Sequence, residues 1–211
     1  MPERMQSAAA SPAFPPPPWR LSGEAYLSVW LIPRDELDFD PPQGFAPVHV
    51  AGRLVVGGFW ARYRPPGVLS YDELAVGVLV RRGSTLAVTI PWIWVDSEAS
   101  KTGARTLWAI PKAIARFAEG SAFAASDRSG ERLAVFRPER ALPLPLPLPF
   151  RLTIAQPGES ASVLTPARIT GWPGVARGEW RAAGPISFLD GRQPLLAGRL
   201  ARARVRFGRA S

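Results

Sequence analysis

Apolar and polar positions along this chain fall into strand-length runs far more often than into helical stripes. From Glu24 to Ile32 the run E-A-Y-L-S-V-W-L-I is aromatic and β-branched, and Pro33 closes it, which predicts a strand. After a turn at Pro41-Pro42-Gln43-Gly44, Val50 to Tyr63 reads as a second strand, with Gly57-Gly58 marking a bulge or a close approach. Leu74 to Arg82 and Thr85 to Val95 are apolar runs on either side of Arg82-Gly83-Ser84, which predicts a hairpin. Ala122 to Asp127 and Arg132 to Arg137 repeat that logic around Ser129-Gly130. Near the end, Ala201, Ala203, Val205 and Phe207 alternate with Arg202, Arg204 and Arg206, the period-two pattern of a half-buried strand.

Helix is scarce. A turn or two can start at Ser97, and a better case starts at Pro111, where Ile114, Phe117 and Ala118 share a helical face and Gly120 stops it. Proline marks two other segments. Residues 1–18 end in Pro15-Pro16-Pro17-Pro18 and read as an arm, and L-P-L-P-L-P-L-P from Leu142 to Pro149 reads as an exposed, extended connector. The pattern predicts an antiparallel β architecture, barrel or sandwich, with a few short helices.

Composition narrows the chemistry. With 46% hydrophobic residues over 211, the chain can bury a real core. The absence of cysteine excludes disulfides, a thiolate nucleophile and sulfur-based zinc sites, and the single histidine, His49, excludes a multi-histidine metal site. No G-x-S-x-G turn accompanies that histidine, so hydrolase chemistry loses ground. No uninterrupted run of about 20 apolar residues suggests a membrane span, and the N-terminus lacks a secretory h-region, leaving the cytoplasm as the expected location. The net charge of +9 is almost entirely arginine, scattered along the chain except near its end, beside abundant Ala, Gly and Pro. On that reading the arginines of the last strand form a solvated outer face, and nucleic acid is not an expected partner.

One lysine stands out. Lys112 lies in T-L-W-A-I-P-K-A-I-A-R-F, among apolar neighbours. It either snorkels from a helix start or sits buried as a neutral amine, and in the second case desolvation and a helix N-terminus would both disfavour its charged form. A neutral amine condenses with ketones and aldehydes to a Schiff base that acts as an electron sink, chemistry that needs neither metal nor cysteine. Taken alone, Glu73 in S-Y-D-E-L can be a turn acid. Lys101 and Asp72 read as solvated charges, His49 as structural or exposed, and Trp92 with Trp94 as core or pocket wall.

Several of these segments, in this order, resemble the acetoacetate decarboxylase family. They are S-P-A-F-P at Ser11 to Pro15, the strand with Tyr26, Y-D-E-L at Tyr71 to Leu74, and A-R-T-L-W-A-I-P-K-A at Ala104 to Ala113. In that family, itself the usual example of a lysine activated by an apolar site or a neighbouring cation, a G-R-E-x-x-x-x-P-K-K segment carries the Schiff-base lysine. Lys112 corresponds to that lysine, and Glu73 to an acid/base and positioning group. The chain departs at Ala113, where the family has a second lysine, at Ala104-Arg105-Thr106 for G-R-E, at Trp60 for a second pocket acid, and around Ser22 to Glu24, where a family arginine has no counterpart.

The resemblance implies a mainly β (β-rich α+β) domain over 19–211, an antiparallel curved sheet or cone-like β-barrel around an apolar pocket. Lys112 would point in from a helix start with Glu73 opposite, and Tyr71, Trp60 and Trp108 would line the substrate. It further implies a carbon–carbon lyase acting on a small or medium oxo acid by decarboxylation or aldol and dehydration chemistry, with no cofactor and no metal. A homo-oligomer, with contacts from the terminal strand and the proline segment, is also implied. The departures keep open a non-catalytic protein binding an apolar carbonyl ligand on the same fold.

Overall fold

The computed structural model describes residues 13–118, 120–139 and 141–210. Residues 1–12 of the expected arm, with Ser11 and Pro12 of the S-P-A-F-P segment, lie outside the described residues. Phe14 packs against the interior cluster that holds Trp19 and Trp108, and Pro15 accepts the Trp19 indole N–H at 2.7 Å.

Long strands β1 (Trp19–Pro33), β2 (Arg53–Tyr63), β3 (Tyr71–Arg82) and β4 (Thr85–Val95) run antiparallel to one another in chain order. Helix α1 (Glu98–Trp108) and the short strands β5 (Ala113–Ile114), β6 (Arg116–Ala118), β7 (Phe123–Ser126) and β8 (Arg132–Pro138) follow. The chain ends in β9 (Leu148–Gln156), β10 (Val163–Val175), β11 (Gly178–Ala182) and β12 (Leu196–Phe207). In space the order β3-β2-β1-β12-β10-β9-β4 returns to β3, so seven strands close a barrel, antiparallel except at the β9–β4 seam, where Ile154 meets Val88. A second sheet, β11-β8-β7-β6, lies beside it.

Alternation along each strand divides the core in two. On β1, Trp19, Leu21 and Ala25 point into the barrel, while Tyr26, Trp30 and Ile32 point outward into a core that includes Trp60, Leu74, Phe123, Phe136 and Trp180. Trp94 and Trp92 belong to that outer core. The β1–β2 register is continuous through Gly57 and Gly58, so this pair is not a bulge. A Cβ on Gly58 would lie 2.9 Å from the Trp30 ring and 3.0 Å from Trp180, and the missing side chain lets those rings close on the sheet.

Both predicted hairpins form, the first with Gly83 at φ +57. The proline segment is exposed at Leu142, Leu144, Leu146 and Leu148, although Leu142–Pro143 pairs with β10 and the end of the segment enters β9.

The helix expected from Pro111 does not exist, and the weaker site at Ser97 starts the α-helix. The Ser97 hydroxyl accepts the Ser100 N–H at 3.2 Å, and Ala109 ends α1 in the left-handed region. Pro111 instead sits in a turn in which the Lys112 N–H reaches the Ile110 carbonyl at 2.8 Å, a geometry its fixed φ suits equally well. The following residues are held extended because β5 adds to the β4 edge, pairing Ala113 with Trp94 and Ile114 with Val95. Sheet pairing overrides the local helical pattern. Among the described residues, no helix is long and apolar enough to cross a membrane.

Candidate active site

Lys112 is buried, 4% exposed, inside the barrel. Its position follows from the turn at Pro111 and from alternation: Ile114 packs toward the barrel interior beside Tyr63 and Tyr71, while Ala113 between them packs on the outer core. Arg105 on α1 donates its Nε–H to the Lys112 carbonyl at 2.7 Å and fixes this segment against the helix.

The amine is not surrounded by apolar groups alone. Lys112 Nζ donates to Glu73 Oε2 at 2.6 Å, to Ser100 Oγ at 3.0 Å and to Tyr71 Oη at 3.3 Å, and lies 4.7 Å from the Tyr71 ring centre. Glu73 and Tyr71 project from alternate positions of β3, and Ser100 from the first turn of α1. Walls of Trp19, Ile90, Ile93, Trp108, Ile110 and Ile154 enclose a cavity of about 30 Å³ at this cluster. That is room for a water or two, far below the roughly 300 Å³ where drug-sized sites begin.

Electrostatics keep the phenols protonated. Burial pushes Tyr71 well above its ordinary range, and the charge of Glu73 adds to the effect against an opposing hydrogen bond with Ser100. Tyr63, whose ring is 4.9 Å from that of Tyr71, is raised in the same way by burial and then by Glu73. Next along β3, Asp72 faces outward. It is buried, contrary to its reading as a solvated charge, and pairs with Arg64 at 2.7 Å and Arg62 at 3.7 Å.

Of the residues put forward from sequence, Lys112, Glu73, Tyr71 and Trp108 meet at one cavity. Trp60 does not. It occupies the outer core against Phe117, Phe123 and Trp180, because it follows Phe59 by one position and adjacent strand residues face opposite ways. Phe59 is the one that packs toward the interior. Lys112 also does not stand at a helix start; its amine instead reaches the first turn of α1 from outside, through Ser100. Sequence reading missed Ser100 and Arg105. A capped helix beginning at Ser97 was the signal that could have found both, since it turns Ser100 and Ala104 inward together. No group of three or more His, Cys, Asp or Glu side chains suited to a metal occurs among the described residues.

Comparison with known proteins follows the same lines. Residues 1–139 match the family model described as Acetoacetate decarboxylase (ADC). No curated protein matches the chain significantly in sequence. Among solved structures, an acetoacetate decarboxylase from Legionella pneumophila subsp. pneumophila str. Philadelphia 1 superposes with a TM-score of 0.71 at 17% identity, covering 99% of this chain and 92% of that one. An acetoacetate decarboxylase-like enzyme from Sphingomonas wittichii RW1 gives 0.64 at 15% identity, over 96% and 94%. The enduracididine biosynthesis enzyme MppR, complexed with the condensation product of pyruvate and imidazole 4-carboxaldehyde, gives 0.58 at 17% identity, over 95% and 89%.

Proposed function

The chain belongs to the acetoacetate decarboxylase family, and on that footing we propose that it is a Schiff-base lyase that uses Lys112 on a small or medium oxo acid. One observation carries the reading: a buried lysine amine, 2.6 Å from a buried carboxylate, forms the wall of an otherwise apolar cavity.

The proposed steps use the groups gathered at the cavity. Glu73 Oε2 accepts a proton from Lys112 Nζ, and the free amine adds to the carbonyl carbon of the oxo acid. The resulting carbinolamine loses water as its hydroxyl takes a proton from Glu73, leaving an iminium. In a 3-oxo acid the bond to the carboxylate then breaks, CO2 departs, and the electron pair moves to nitrogen to give an enamine. Protonation of the enamine carbon and hydrolysis of the new iminium release the ketone and return Lys112. Tyr71, held protonated, donates a hydrogen bond to oxygen rather than serving as a base. With a 2-oxo acid the iminium keeps its carboxylate and instead loses a C3 proton to Glu73, and the resulting enamine can add to an aldehyde, the type of product that the MppR complex carries.

The three hydrogen bonds of Lys112 favour a second reading, a binder of apolar carbonyl compounds that never frees the amine. Release of CO2 from a panel of 3-oxo acids, with Lys112→Arg as the reference, separates the two. Release by the parent that Lys112→Arg abolishes supports the lyase. No turnover with any member, together with saturable binding, assigns the chain to the binder.

A further inference from the structure

The fold gathers arginines that the sequence scatters. Arg151 on β9 lies directly opposite Arg168 on β10, Arg168 opposite Arg206 on β12, and Arg206 opposite Arg20 on β1. Directly opposite residues share a face. Here it is the outer face of the barrel, because neighbouring Trp19, Leu21, Ala167 and Val205 are buried while all four arginines are exposed. With strands about 4.8 Å apart, the row spans roughly 14 Å. Arg204 extends it along β12, flanked by Ser22 and Thr170 as its cross-strand partners.

No ion pair among the described residues uses any of these five arginines. Like charges directly opposite one another weaken a sheet, so a row across four strands works against folding unless an anion compensates it. The chain as a whole adds a net charge of +9. An aromatic group completes the face: the β10–β12 register shifts between Thr170 and Trp172, but Gly171 between them is buried while Trp172 is 41% exposed, which leaves Trp172 on the outer side.

We propose that this outer face binds single-stranded nucleic acid, the arginine row lying along the phosphodiester backbone and Trp172 stacking on a base. The exposed Trp172 ring gives an unpaired base a face to stack on, which neither a duplex with its bases paired nor a bilayer presents. The face offers few groups to read base edges, so binding is independent of sequence. The surface lies outside the barrel and does not depend on the chemistry of Lys112.

Fluorescence anisotropy with a short labelled oligo-thymidylate tests this. Four phosphate contacts give a slope of about −3 in a plot of log affinity against log salt, and Arg168→Ala with Arg206→Ala reduces its magnitude by roughly 1.4. Trp172→Ala weakens binding by about tenfold or more and leaves the slope unchanged. Arg116→Ala with Arg132→Ala removes the same charge from the small sheet and leaves affinity unchanged. The proposal fails if the slope is flat, if that control pair weakens binding as much as the row pair does, or if duplex DNA or phosphatidylserine vesicles are bound as tightly as the single strand.

Discussion

Lys112 Nζ donates to Glu73 Oε2 across 2.6 Å with side-chain exposures of 5% and 7%, so each charge depends on the other for its place in the barrel. Removing one partner strands a buried charge. Glu73→Leu is expected to cost about 3–5 kcal/mol, as is Lys112→Met, while the double variant Lys112→Met with Glu73→Leu is expected to be near neutral. Urea unfolding of the four proteins closes this cycle. Additive losses would show that the pair is not coupled.

The three partners of the amine differ in what they contribute to the proposed chemistry. Glu73→Gln keeps the shape and loses the proton acceptor, so turnover is expected to fall by about 10²–10⁴-fold. Ser100→Ala and Tyr71→Phe each remove one hydrogen bond of the amine, together with the bond between Ser100 and Tyr71, and a loss of about tenfold is expected. Rates measured under single-turnover conditions rank the three. Equal losses would contradict a distinct role for the carboxylate.

Ala113 tests whether a second lysine would help. Its side chain packs toward the outer core beside Trp94, on the side away from the cavity. Ala113→Lys is therefore expected to lower the melting temperature and not to speed adduct formation at Lys112. Faster adduct formation at unchanged stability would show that position 113 communicates with the site.

All three tyrosines are raised by burial, Tyr63 and Tyr71 well above their ordinary value of 10.0 and further by Glu73, and Tyr26 against the opposing charge of Arg199. A phenol raised in the folded state contributes stability that is fully present below pH 10 and is lost as pH rises through its folded value. One phenol, Tyr26, is expected to ionise in the folded protein, and the other two only with cooperative unfolding. Ultraviolet difference absorbance and circular dichroism recorded on the same alkaline titration check this. Ionisation of all three before any loss of structure would refute it.

Local signals were legible in the sequence where local physics decides. The Gly83 turn announced its hairpin, the alternation from Ala201 to Phe207 announced a half-buried strand, and an isolated lysine in an apolar run marked the residue that lies buried at the cavity. Non-local facts were not legible. Pro111 suits both a helix start and a tight turn, and pairing with β4 chose between them. Helix α1 is rich in small residues because Gly103 and Ala104 lie against Trp19, a contact invisible along the chain. Trp60 was misplaced because a single position separates the two faces of a strand. The arginine row exists only through strand register, so its members at positions 20, 151 and 168 looked scattered, and Arg206 looked like part of a solvated face of the last strand alone.

The chain has two lysines, Lys101 and Lys112, which allows an internal comparison. Lys101 lies near the surface on α1 and pairs with Glu98 at 2.8 Å. Borohydride reduction in the presence of a reactive ketone at neutral pH, followed by peptide mass mapping, is the most direct measurement of the central claim. A reduced adduct is expected on Lys112 and little on Lys101, with the Lys112 adduct lost in Glu73→Gln. An unmodified Lys112 beside a Lys101 that reacts only at alkaline pH would contradict it.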